Sequence, residues 1–206
     1  MKKDIILAGV GGQGILSIAT IIGHVAVKKN MHLKQAEVHG MSQRGGDVQS
    51  HLRISDSPIH SDLVPAGGAD IVLSVEPMEA LRYMPFLKKE GWIITNTAPY
   101  INIPTYPEMD DLMNELKKTA NHVAVPAEDL AAEAGTKRAM NIVMLGAAAI
   151  FLGLDFADLE DGIRAVFGRK GDKIVDINLK ALRAGKDTVV EMAGKVTAQF
   201  VHNVSS

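Results

Sequence analysis

DIILAGVGGQGILS, residues Asp4 to Ser17, is the stretch whose reading decides the fold. Ile5, Ile6, Leu7 and Ala8 form a short run without charge, enough for one strand buried on both faces. Gly9, Gly11 and Gly14 follow at G-x-G-x-x-G spacing, and Ile15 to Val27 continues as an apolar helix. Glycine accepts positive φ in a tight turn and, lacking Cβ, lets a phosphate approach the backbone. The helix behind it contributes unpaired N–H groups and a partial positive charge at its N-terminus. The turn therefore suits a phosphate or pyrophosphate, although tight packing alone also produces this pattern. A full dinucleotide fold adds an acidic residue about 20 positions on, and Glu37 stands roughly there, near the end of His32 to Val38.

Beyond that second strand the chain alternates. Val48, Ser50, Leu52 and Ile54 interleave with Asp47, Gln49, His51 and Arg53, the period-two pattern of a strand with one polar face. Ala69 to Val75 reads as a buried strand, and Pro77 opens a helix that Pro85 ends. Trp92 to Thr95 and His122 to Val125 are further strands, with helices at Asp110 to Lys118 and from Pro126 to Ala134. Strands alternating with helices predict an α/β fold, a Rossmann-like three-layer αβα with a mostly parallel sheet. From Ala139 the pattern is helical only: Asn141 to Leu152, apolar all round, then Asp155 to Phe167 and Lys173 to Leu182. A second βαβ half is not legible there, which argues against plain NAD binding. Residues 1–185 are expected to form one domain, with 186–206 as its tail or terminal helix.

Bulk properties narrow the function. A formal charge of −2 gives no electrostatic pull toward nucleic acid or an anionic membrane, and 4% aromatics leaves few base-stacking platforms. No apolar run approaches the ~18 residues of a transmembrane helix. Lys2-Lys3 runs into Asp4 rather than a leader core, so a cytoplasmic protein is expected. The chain has no cysteine. That removes disulfides, thiol nucleophiles and ordinary iron–sulfur ligation from it.

The second informative stretch is Glu37 to Ile54, EVHGMSQRGGDVQSHLRI. Gly45 and Gly46 let backbone pass close to a ligand or another chain, and Arg44 offers a planar, always-charged fork for phosphate or carboxylate. His39, Ser42 and Gln43 add hydrogen-bonding groups. Following a strand of a parallel sheet, this loop is expected at the carboxyl edge, lining one crevice with the glycine turn.

Together, Gly9-Val10-Gly11-Gly12-Gln13-Gly14 and Glu37-Val38-His39-Gly40-Met41-Ser42-Gln43-Arg44-Gly45-Gly46 resemble the gamma-type subunits of 2-oxoacid:ferredoxin oxidoreductases, most closely the indolepyruvate branch. The likeness covers about residues 3 to 185. It implies a complex with a large alpha subunit that carries thiamine diphosphate and iron–sulfur clusters, the complex oxidatively decarboxylating arylpyruvates to aryl-acetyl-CoA and reducing ferredoxin. The missing cysteine agrees with that division of labour, as does the lack of a thiamine signature after Gly171-Asp172. By the same resemblance Gly9, Gly11, Gly12, Gln13 and Gly14 would face the phosphates of coenzyme A, and Arg44, Gly45 and Gly46 the ligand or the partner.

Other residues take ordinary readings. His39, His51 and His60 lack metal-ligand spacing, with His51 and His60 expected at the surface. Glu76 and Glu79 read as helix caps, and Arg169-Lys170-Gly171-Asp172 as a solvated turn rather than an anion site. No catalytic residue is legible.

Overall fold

Uncharged side chains at Ile5, Leu7, Ile6 and Ala8 point alternately to two faces of a strand, so both faces must be covered. They are: β1, Lys2–Val10, lies inside a sheet with helices on either side. The computed structural model describes residues 1–40, 45–118 and 121–204, without the side chains of residue 39 and of residues 194–204. Among them α1 (Ile15–Lys28), β2 (His32–His39), β3 (Asp47–Ser55), β4 (Ala69–Ser74), α2 (Pro77–Arg82) and β5 (Leu87–Asn96) follow in order. Then come α3 (Met109–Lys117), β6 (His122–Val125), α4 (Ala127–Ala134), α5 (Met140–Leu152), α6 (Phe156–Phe167) and α7 (Asp172–Val204).

The strands order as β2-β3-β1-β4-β5-β6. Pairs β1–β4, β4–β5 and β5–β6 are parallel, and β3 runs antiparallel to both of its neighbours. This is the α/β three-layer fold expected, with one reversal: β3, not β2, pairs with β1. Glu37 therefore sits opposite Ser50 of β3, one strand further from β1 than in a dinucleotide fold. The β2–β3 hairpin still returns the chain to the carboxyl end of β1.

Ile5 and Leu7 pack with Ile18, Ile22 and the α5 residues Ile142 and Leu145, whereas Ile6 and Ala8 face Val72, Ala80, Tyr83 and Leu116. Helices α1 and α2 thus cover opposite faces of neighbouring strands. The carboxyl edge between β1 and β4 is the switch point, where an open α/β sheet presents its crevice.

Several boundaries differ from expectation for physical reasons. β5 begins at Leu87 rather than Trp92, because Gly91 permits a register shift where a Cβ would meet the Ala69 carbonyl at 2.9 Å. The helix read from Lys173 to Leu182 continues as α7 to Val204. The polar face of β3 is not exposed: His51 and Arg53 are buried, correcting the surface position expected for His51. The connection from β3 to β4 covers them, its Val64 N–H donating to His51 Nδ1 at 3.0 Å. Among the described residues no helix is long and apolar enough to cross a membrane.

Candidate functional site

The glycine turn is held from three directions. Gln13 closes it locally, its backbone N–H donating to the Val10 carbonyl at 3.1 Å and its Oε1 accepting from Val10 N at 2.8 Å. The hairpin holds it from one side: Gly11 N donates to the Gly46 carbonyl at 2.8 Å. From the other, Asn141 at the start of α5 donates its Nδ2 to the Gly14 carbonyl at 2.9 Å. Among the described residues no side chain caps α1, and its first turn holds no acidic residue. The positive end of the helix dipole is therefore left for an anion.

The glycines divide by task. Gly12 (φ 100°) and Gly14 (φ 80°) occupy the left-handed region. Among the described residues a Cβ on Gly12 would meet nothing within 4 Å, so its backbone fronts open space, whereas one on Gly14 would lie 2.6 Å from Asn141 Nδ2. Gly9 is a packing glycine, since a Cβ there would stand 2.4 Å from Val75 Cγ2 and 2.9 Å from Ile15 Cδ1. Of the second motif, Gly45 and Gly46 lie beside Gly11, Gly45 N donating to the Gly11 carbonyl at 3.5 Å. Met41, Ser42, Gln43 and Arg44 lie outside the described residues.

Among the described residues three clefts open around the turn. The first, about 480 Å³, is lined by Gly12, Gln13, Gly14, Arg138, Lys170 and the apolar Ile174 and Ile177, among others. The second, about 510 Å³, runs from Gly12 and Gln13 past Arg138 to Tyr100. A third, about 300 Å³, brings Glu37 and Leu16 to Gly11 and Gly14. Arg138 borders both larger clefts. Its backbone N–H is capped by Thr136 Oγ1 at 3.4 Å, in a short 3₁₀ turn after Gly135. Exposed Lys170, on the turn read as solvated, lies 5.3 Å above the Phe167 ring and lines the first cleft. Two cations, uncapped helix amides and an apolar wall suit a ligand with phosphates at one end and an aromatic or aliphatic body.

Just past the end of β4, two carboxyl groups are buried at the start of α2. Glu76, fully buried, accepts from Glu79 N at 2.9 Å, from Tyr100 N at 3.3 Å and from the Tyr106 hydroxyl. It caps α2, as its position suggested. Burial, then the Glu76 carboxylate, pushes the Tyr106 phenol well above its ordinary range, so it stays a donor. Beside it, burial raises the Glu79 carboxyl against the pull of Arg82, 2.9 Å away. Among the described residues no group of three or more His, Asp or Glu is placed to hold a metal ion.

Sequence reading singled out the glycine turn and the Gly45-Gly46 loop, and did not foresee that this loop joins an antiparallel hairpin. It missed Arg138, Asn141 and Tyr100, which reach the turn only through the fold; Asn141 is 127 positions from Gly14.

Residues 4–188 match the model of the family described as pyruvate ferredoxin/flavodoxin oxidoreductase. The chain is 39% identical over 199 residues to the indolepyruvate oxidoreductase subunit IorB of Archaeoglobus fulgidus, covering 92% of this chain and 96% of the relative. Its fold is similar to 2-oxoglutarate:ferredoxin oxidoreductase from Magnetococcus marinus, solved with 2-oxoglutarate, coenzyme A and succinyl-CoA bound. That match has a TM-score of 0.75 at 19% identity, over 92% of this chain and 31% of the other. It is also similar to the gamma subunit of keto/oxoacid ferredoxin oxidoreductase from Geobacter sulfurreducens PCA, with a TM-score of 0.69 at 23% identity, over 92% and 99%.

Proposed function

The chain belongs to the pyruvate ferredoxin/flavodoxin oxidoreductase family, and from that membership we propose that it is the small subunit of a heteromeric indolepyruvate (arylpyruvate):ferredoxin oxidoreductase. The observation that carries this reading is the near full-length match to an IorB subunit at 39% identity. In this assignment a large alpha subunit supplies thiamine diphosphate and the iron–sulfur clusters, ferredoxin takes the electrons, and the product is an aryl-acetyl-CoA. This chain contains no cysteine with which to ligate a cluster.

Its own contribution is to hold coenzyme A. The residues fit that group: Gly12 fronts open space at an uncapped helix N-terminus, and Arg138 and Lys170 border the adjoining cleft. Gly11, Gly12, Gln13 and Gly14 are assigned to the pyrophosphate, with Arg138 and Lys170 answering its charge. The apolar wall of Ile174 and Ile177 offers a seat for the adenine. Coenzyme A supplies the thiol that accepts the acyl group; these residues bind and orient it. Gly45 and Gly46 are assigned to the ligand or the partner, and Arg44 is assigned there on its guanidinium chemistry alone. A cytoplasmic location goes with this assignment.

The test is reconstitution with the large subunit of an indolepyruvate oxidoreductase from the same source. Arylpyruvate-dependent, coenzyme A-dependent reduction of a viologen dye should appear only when both chains are present, and this chain alone should be colourless. Turnover with NAD(P) by the isolated chain would replace the reading with an autonomous dehydrogenase.

A further inference from the structure

The segment 97–108 between β5 and α3 forms no helix or strand, yet it is tied at both ends and in the middle. At its start, fully buried Asn96 accepts from Ala127 N at 3.1 Å and donates to the Ala98 carbonyl at 3.3 Å, while Thr97 N donates to the Val125 carbonyl at 3.0 Å. Further along, Tyr100 N and the Tyr106 hydroxyl both donate to the same oxygen, Glu76 Oε1. Between those two anchors the chain bulges outward, and at its crest exposed Asn102 donates its Nδ2 to the Gly45 carbonyl at 2.6 Å. Gly46 in turn accepts from Gly11. A buried carboxylate at the end of β4 is thereby linked, through one loop and one hairpin, to the glycine turn at the end of β1.

We infer that residues 97–108 act as a strap that sets the glycine turn and the cleft wall at Tyr100 for the ligand, and that Glu76 is the positioning residue that anchors it. A buried carboxylate must have its oxygens satisfied, and here two of its donors come from the strap. Releasing the strap would leave Glu76 short of partners inside the protein, so the closed arrangement is strongly held. Pro99, Pro104 and Pro107 limit the backbone conformations the strap can visit when unpinned. Tyr100 lines the cleft that contains Gly12, Gln13 and Arg138, so the strap shapes the site on its inner side as well as through Gly45. Glu76 is fully buried and lines none of the three clefts described above. It acts through Tyr100, Tyr106 and Asn102.

The inference rests on the coenzyme A reading above, and the experiment separates the two. In the assembled two-subunit enzyme, Tyr106→Phe removes an anchor and Asn102→Ala removes the crest contact. Each should raise the KM for coenzyme A about three- to tenfold, the scale of one charge-assisted or buried hydrogen bond, with kcat for the saturated enzyme within about twofold. The double variant should be little worse than either single, because both release one strap. Asn102 is exposed, so its variant folds even if Tyr106→Phe is destabilised. Arg138→Met serves as the control for the ligand reading. If it raises the coenzyme A KM while neither strap variant does, or if the strap effects fall on kcat alone, the strap inference is overturned and the reading of the site stands. If Arg138→Met leaves the coenzyme A KM unchanged, the ligand reading itself fails.

Discussion

At the scale of single residues, Gly14 carries two demands at once. Its φ of 80° excludes most side chains energetically, and the space a Cβ would fill is taken by Asn141, 2.6 Å away. Gly14→Ala should therefore cost about 1–3 kcal/mol through backbone strain alone, and push Asn141 off the Gly14 carbonyl. Asn141→Ala should cost about 1 kcal/mol, the worth of one hydrogen bond. Urea midpoints of the isolated chain measure both; a Gly14→Ala midpoint equal to wild type would contradict the turn geometry. The glycine spacing was legible because strand, turn and helix are consecutive in the chain. Which glycine does what was not: Gly9 packs, Gly12 fronts open space and Gly14 holds the strained corner, a division that depends on Val75 and Asn141 arriving from elsewhere.

At the scale of elements, the connection between β3 and β4 shows how polar side chains can be core. Arg53 donates to Asp4 through Nε at 2.6 Å and Nη2 at 3.1 Å, and through Nη1 to the carbonyls of Ser61 and Leu63, both at 3.0 Å. This forked pairing pins an irregular segment over the sheet. Removing one partner, as in Arg53→Met, leaves the buried Asp4 carboxylate with only the exposed Lys2 ammonium, 3.1 Å away, and should cost about 3 kcal/mol, the low end for a broken buried pair. The pH dependence follows from two groups. Burial works to raise the Asp4 carboxyl, but the Arg53 hydrogen bond, helped by Lys2 and both charges, holds it below the ordinary 3.8. Burial, then the Arg53 charge, holds His51 below the ordinary 6.5. In both cases the unfolded chain takes up protons first, so stability is full above the unfolded value and is lost as pH falls toward the folded one. His51 acts in the window below 6.5 and Asp4 in the window below 3.8. His51→Gln keeps an acceptor for Val64 N and removes the titration. Urea midpoints should fall less steeply from pH 7 to pH 5 in that variant, and an unchanged slope would remove His51 from this role. The strand itself was legible in its alternation, whereas the burial of its polar face was not. Period-two patterning reports which residues share a face, but not whether a loop some ten residues later supplies their partners.

At the scale of the molecule, α5 is the pillar on which the layers meet, buried from Met140 to Ala149 and at Leu152. Its uniform apolarity, read directly in the sequence, requires cover on every side. The sheet supplies one and α7 the other, crossing at two glycines. A Cβ on Gly146 would stand 2.0 Å from the Leu182 carbonyl oxygen, and one on Gly185 would stand 1.9 Å from that of Val143. These distances are backbone to backbone, so no rotamer change relieves them; the helices themselves must separate, and the whole α5 interface opens with them. Gly185→Ala should therefore destabilise by about 1–3 kcal/mol or more, although alanine has the higher helix propensity by ~1 kcal/mol. Gly168 provides the comparison: it lies at φ −53°, and among the described residues nothing stands within 4 Å of its Cβ direction. Gly168→Ala should be neutral or stabilising by up to about 1 kcal/mol, since it restricts only the unfolded chain. Opposite shifts of the two urea midpoints would confirm that helix packing, not propensity, seats α7. A Gly185→Ala midpoint at or above wild type would mean that α7 crosses α5 at another place.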